Sequence, residues 1–153
     1  MTTASMWAAT VDALLVAFAG ATTVPVFDGI PVTYAELPLG VAVGVDGAYD
    51  NGNSGEFRQD WRDAGPAPWA HRDETGEIAC TIWAQNGGDD LAALRTQVFG
   101  LLTDLADVIH TVNTLDPRLV DAHILRGDPI QRRTSGGVVC EVAFRVAYRA
   151  IFT

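Results

Sequence analysis

The chain has 153 residues, 48% of them hydrophobic and 19% charged, with a formal net charge of −9 at pH 7. These values suit one domain able to bury a core, and they exclude a disordered polymer. The charge also excludes a general nucleic-acid binder, because neutralising phosphates takes clustered cations and the chain has ten arginines against 19 acids, with no lysine.

The stretch ALLVAFAGATTVPV has the look of a signal-peptide core, with Ala19-Gly20-Ala21 placed like a cleavage site. No Lys or Arg precedes it and Asp12 stands at its start, so it reads as a helix and not a leader. Ser5 can cap that helix, Trp7, Val11, Leu14, Leu15 and Phe18 share one face, and Gly20 stops it. TTVPVFDGIPVTY then gives short extended pieces around an Asp28-Gly29 turn, with Pro25 and Pro31 excluding a central strand. A strand over Leu39 to Val45 follows, entered from Pro38. The next thirty residues, GAYDNGNSGEFRQDWRDAGPAPWAHRDETG, are the least regular, with room for a short strand at Glu56 to Trp61.

EIACTIWAQ resumes alternation, with Ile78, Cys80, Ile82 and Ala84 on one face and Glu77, Ala79, Thr81, Trp83 and Gln85 on the other. The turn NGG leads to Asp89 or Asp90 as cap of a long helix. Its face is Leu91, Leu94, Val98, Leu101, Leu102, Leu105, Val108, Ile109 and Val112, and Asp116-Pro117 ends it. Leu119 to Arg126 and Ile130 to Arg133 read as extended, with Gly127-Asp128-Pro129 as a turn or bulge between them. Thr134-Ser135-Gly136-Gly137 turns into a last strand, GGVVCEVAFRVAYRAIFT. Fifteen alternating residues span roughly 50 Å, against a radius of gyration of about 15 Å for a compact chain of this length. That strand is expected to bend or to leave its own domain.

Helix, several strands, long helix and hairpin, without regular βαβ alternation, predict an α+β fold. Its expected form is a mostly antiparallel β-sheet with two α-helices packed on one face and a C-terminal β-hairpin, residues 1–153 making one domain.

Chemistry is harder to find. His71, His110 and His123 have no second ligand at a metal-like spacing. His71-Arg72-Asp73 matches a kinase triplet without the glycine-rich loop, strand lysine or metal-binding motif that would give it meaning. Arg126-Gly127-Asp128 suits a turn, and Asp89 and Asp90 suit a helix cap. Trp61, Trp69 and Trp83 suit a satellite core or a subunit contact, and Arg126, Arg132 and Arg133 suit a solvated hairpin end. Cys80 and Cys140, on apolar strand faces, read as buried thiols of a reducing compartment. No P-loop, nucleophile elbow or dinucleotide fingerprint occurs. The expectation is no catalytic, cofactor-binding or metal site, and no enzyme.

The order of elements resembles the tail terminator (tail completion) proteins of long-tailed bacteriophages. The resemblance rests on the opening helix, the Pro-led strand PLGVAVGVDG, the strand-turn-helix GEIACTIWAQNGGDDLAALRTQVFGLLTDLADVI, the Asp-Pro junction and the hairpin into GGVVCEVAFRVAYRAIF. Residues 46–70 match loosely. It implies a virion protein, made in the host cytoplasm, that sits on the head-proximal end of the tail as a homo-oligomeric ring, a hexamer. Such a ring ends tube polymerisation and meets the tail tube protein and the head-tail connector protein, while DNA passes through without specific binding; no membrane is involved and the family brings no catalytic residues. A ring needs two complementary patches on each subunit. Residues 1–117 carry four Arg against sixteen acids and residues 118–153 six Arg against three, so the two parts differ in sign. The expected interface residues are Tyr49, Asp50, Asn51, Phe57, Arg58 and Trp61, in a partner-contacting loop over Ala48 to Trp61, and Arg126, Arg132, Arg133, Arg145 and Arg149. Two alternatives stand beside this: another head-tail connector or tail tube subunit, and a small α+β enzyme or ligand-binding protein with a pocket beside the tryptophan-bearing loop.

Overall fold

A computed structural model describes residues 4–47, 53–62, 71–114 and 116–152. Two helices, α1 (Trp7–Ala21) and α2 (Leu91–Ile109), accompany six strands: β1 (Val26–Asp28), β2 (Leu39–Val43), β3 (Gly55–Arg62), β4 (His71–Asn86), β5 (Leu119–Thr134) and β6 (Gly137–Phe152). The sheet runs β1-β2-β4-β6-β5, and β3 lies beside β4. β3 pairs with the first half of β4 and β2 with the second, so both flank the same side of it. Every pairing is antiparallel except β1 with β2. This is the α+β architecture expected.

Both helices form for the reasons their sequences give. Ser5 Oγ accepts a 3.0 Å bond from Trp7 N at the start of α1, although Met6 is the cap residue. Asp90 caps α2 by accepting from Ala93 N at 3.1 Å. The helical spacing continues beyond Ile109 only as a 3-10 stretch, His110–Thr114, with Val112 still buried. Leu14 and Phe18 of α1 and Leu94, Val98, Leu105 and Ile109 of α2 cover one face of the sheet. They pack on Val41, Ile78, Cys80, Ile82, Val142, Phe144 and Val146. Each such side chain contributes about 1.5–3 kcal/mol by leaving water. The opposite face has a smaller core in which Trp83 meets Tyr34 at a tilt of 57°, ring centroids 4.9 Å apart, and stacks on Phe27 at 6.1 Å, beside Ala42.

The structure departs from the sequence reading in four places. β2 stops at Val43 because Gly44 takes φ 85°, after which Gly44 N and Val45 N both donate to Ala79 O. The run read as irregular holds β3, close to the short strand expected at Glu56 to Trp61, and also the first half of β4, which was not expected. Asp, Glu and Gly are weak strand formers, but here they are paired, β4 by β3 on one side and β6 on the other. Gly127-Asp128-Pro129 stays in the ladder opposite Phe144, Ala143 and Val142, and the irregularity falls earlier, between Ile124 and Arg126. Finally, β6 does not leave its sheet: it is paired with β4 from Val138 to Phe152, and β5 borders its other side. β4, β5 and β6 have sixteen residues each, so the long strand has neighbours of matching length.

Candidate subunit-contact surface

Among the described residues the sheet is bordered by β5 on one side, along its whole length, and, on the other, by β3 along the first half of β4 and by β1 beyond β2 along the second half. From Leu125 to Gln131 every residue of β5 is exposed, and at the end of this stretch Gln131 Oε1 accepts from Arg95 Nη1 of α2 at 2.8 Å. Leu125 is 50% and Ile130 45% exposed. On β3, Phe57 is 53% and Trp61 69% exposed.

Register assigns each side chain a face. Phe57, Gln59 and Trp61 stand opposite Gly76, Glu74 and Arg72, on the side of the helices; Glu56, Arg58 and Asp60 point the other way. Arg58 Nε lies 3.6 Å from Asp60 Oδ1 on that exposed side. The Arg72 guanidinium sits 5.1 Å from the Trp61 ring and 3.8 Å from the Phe152 ring, which ties the exposed indole to the end of β6.

Two polar hubs hold the surface rigid from behind. Glu74 is fully buried on the helix side. Its Oε1 accepts from Met6 N at 2.8 Å, Ser5 Oγ at 2.9 Å and Tyr148 Oη at 2.7 Å, while Oε2 accepts from Gln59 Nε2 at 2.6 Å. One carboxylate thus joins the start of α1, the edge strand β3 and the central strand β6. Burial, followed by this hydrogen bond to Glu74, raises the Tyr148 phenol well above its ordinary value. On the other face Arg145, 7% exposed, donates to Asp46 Oδ2 at 2.8 Å and Asn53 Oδ1 at 3.0 Å. It pins the segments flanking residues 48–52 to the sheet.

The expected interface residues therefore separate. Phe57, Arg58 and Trp61 are exposed together on β3, which makes the partner loop over Ala48 to Trp61 in large part an edge strand. Tyr49, Asp50 and Asn51 lie outside the described residues. Arg126 is exposed on β5, opposite Arg145 across the ladder. Arg133 Nη1 donates to Asp89 O at 2.8 Å, and Arg132 is half-buried beside Asp46, Ile130 and Glu141. Arg149 reaches Asp73 Oδ2 at 3.2 Å from an exposed position. Arg145 alone of these arginines is buried, as an internal tie. Asp60, Leu125 and Glu74 were not singled out by the sequence, and Asp128 only as part of a turn or bulge. Glu74 lies in the charged run HRDETGE, which carries no local sign of burial.

His123 Nδ1 is 3.1 Å from Asp121 Oδ2 on the exposed start of β5. Among the described residues no group of three or more His, Cys, Asp or Glu side chains could hold a metal ion. Cys80 is sealed in the core, where burial pushes its thiol up to about 12, and burial raises Cys140 as well. A groove of ≈ 540 Å³ crosses the sheet between Glu56, Arg58, Thr75, Glu77, Asp121 and His123. Trp83 is buried elsewhere and does not line it, and Trp69 lies outside the described residues.

No protein-family model matches the chain, and no curated protein matches it. Among solved structures it is similar in fold to a chain from the virion of a native gene transfer agent particle. That likeness has a TM-score of 0.50 and 14% sequence identity, and covers 95% of this chain and 95% of the other.

Proposed function

We propose that the chain is a structural virion protein that closes the head-proximal end of a phage tail tube as a ring, a hexamer, and offers the surface to which the head connector joins. The observation that carries this reading is the end-to-end fold likeness to a chain of a virion particle, spanning 95% of both chains. It coincides with the element order that resembles tail terminators. A sheet whose strands β3 and β5 lie outermost on opposite sides among the described residues suits assembly by head-to-tail contacts, which close when the rotation between copies permits. An acidic chain suits a channel through which DNA must slide without adhering.

The same likeness suits a tail tube subunit or another connector. Light scattering behind size exclusion, over a range of concentrations, separates these. A ring-forming cap gives one mass of about six times 16.3 kDa that stops growing with concentration. A tube subunit grows into open-ended polymers, and a strict monomer removes the support for a preformed ring.

A further inference from the structure

We propose that β3 of one copy adds to the outer edge of β5 of the next, in one antiparallel register that sets Asp60 against Arg126 and Arg58 against Asp128. The inference rests on the ring reading and names the surface that builds the ring.

Direction comes first. β3, β4, β6 and β5 lie side by side and alternate in direction. A second copy related by rotation about an axis along the strands keeps those directions. Its β3 then runs opposite to β5 of the first copy, so the antiparallel alternation continues across the boundary.

Hydrogen-bonding parity comes next. Ala79 N donates to Ser54 O, which turns Ser54 and the even-numbered residues of β3 toward β4. Gly55, Phe57, Gln59 and Trp61 therefore present their backbone groups outward. Ile151 N donates to Arg118 O, which turns the odd-numbered residues of β6 toward β5; Arg126 and Asp128, opposite Arg145 and Ala143, face back toward β6. That leaves Gly127, Pro129 and Gln131 with outward backbone groups, and an outward position is where an edge strand tolerates proline. In the proposed register Gly127 meets Gln59 and Gln131 meets Gly55, each pair exchanging two bonds, while Pro129 only accepts from Phe57.

Side chains select this register from its neighbours. It opposes Arg126 to Asp60 and Asp128 to Arg58 on the face away from the helices. On the helix face it brings Pro129 to Phe57, with Leu125, the extra residue at the β5 irregularity, next in line toward Trp61; on the other face Ile130 stands opposite Glu56. Sliding by two residues one way sets Arg126 against Arg58 and Asp128 against Glu56. Sliding the other way sets Asp128 against Asp60. Like charges directly opposite are destabilising, so both neighbours are disfavoured.

Arg126 and Asp128 occupy non-hydrogen-bonded positions toward the new strand, where paired Cα atoms come within about 4.5 Å, close enough for a disulfide. The test uses the full chain carrying Arg58→Cys with Asp128→Cys, mildly oxidised and run on a non-reducing gel, beside the wild type in light scattering. The expected result is a ladder of covalent multimers up to the ring. Asp60→Cys with Asp128→Cys, diagonal at about 7–8 Å, should give none. A ladder from that diagonal pair overturns the register. A multimer in light scattering with no ladder from either pair overturns the edge contact and leaves the ring standing. A monomer at every concentration, with no ladder, overturns both. Charge exchange supplies a second readout. Arg126→Asp alone or Asp60→Arg alone should weaken association by about tenfold, and the two together should restore it; equal loss in all three contradicts the pairing.

Discussion

The Tyr148 hydroxyl donates a 2.7 Å hydrogen bond to Oε1 of Glu74 beneath α1, joining a central strand to a carboxylate that has no contact with solvent. Gln59 and Met6 converge on the same carboxylate, so the edge strand β3 and the first helix are positioned by one buried group. Glu74→Ala leaves those donors without an acceptor and should cost about 3 kcal/mol or more. Tyr148→Phe removes one donor and should cost about 1–2 kcal/mol. Urea unfolding followed by tryptophan fluorescence checks both. Equal, small losses would show that Glu74 is not the hub described.

The raised values of Tyr148 and Cys80 make stability fall on the alkaline side. Both groups are neutral in the folded protein and ionise more readily once unfolded. Their stabilisation is complete below the unfolded values, about 8.5 for Cys and about 10 for Tyr, and is lost as pH climbs through the folded ones. The Cys80 share should disappear between about 8.5 and the folded value of about 12, and the Tyr148 share from about 10 upward. Urea midpoints measured at pH 8 and pH 10.5 should drop for the wild type and drop less for Cys80→Ala. A flat profile in both would contradict the burial.

Two glycines should respond in opposite directions to alanine. A Cβ on Gly76 would lie 2.5 Å from Tyr148 Cε1, so Gly76→Ala must displace the ring that serves Glu74 and should cost about 2 kcal/mol. Gly100 sits within α2 with nothing within 4 Å of an added Cβ. Gly100→Ala should gain about 0.5–1 kcal/mol from helix propensity. Thermal unfolding of both variants decides the matter.

Where sequence and structure agree, a periodic pattern carried the information. The apolar face of α2 recurs every three or four residues from Leu91 to Ile109, and β6 alternates without a break, so both were legible. β3 was legible only as a possible short strand over Glu56 to Trp61, and the first half of β4 not at all, because HRDETG carries polar residues on both faces. Their strand state comes from pairing with distant segments, β4 with β6 above all. Charge misled for the same reason. Arg145 alternates with apolar residues as a solvated arginine would, yet Asp46 and Asn53 fold over it. Of the contact surface, Phe57, Arg58, Trp61 and Arg126 were readable as exposed and unusual. Asp60, Leu125 and Asp128 gain meaning only once the two edges of the sheet are known.

Duplex DNA should not bind measurably at physiological salt. The chain carries 19 acids against ten arginines, and Arg145 and Arg149 are engaged by acidic partners within the chain. A gel-shift titration checks this, and micromolar binding that weakens steeply with salt would contradict it.

Ending tail-tube growth is the role proposed for this protein. The most direct measurement is the length distribution, by electron microscopy, of tubes polymerised from the tail tube protein of the same virus, with and without this chain. Adding the chain should halt elongation, with a ring visible at one end of each tube. Tubes of unchanged length with bare ends, or tubes into which the chain is incorporated along the shaft, would contradict it.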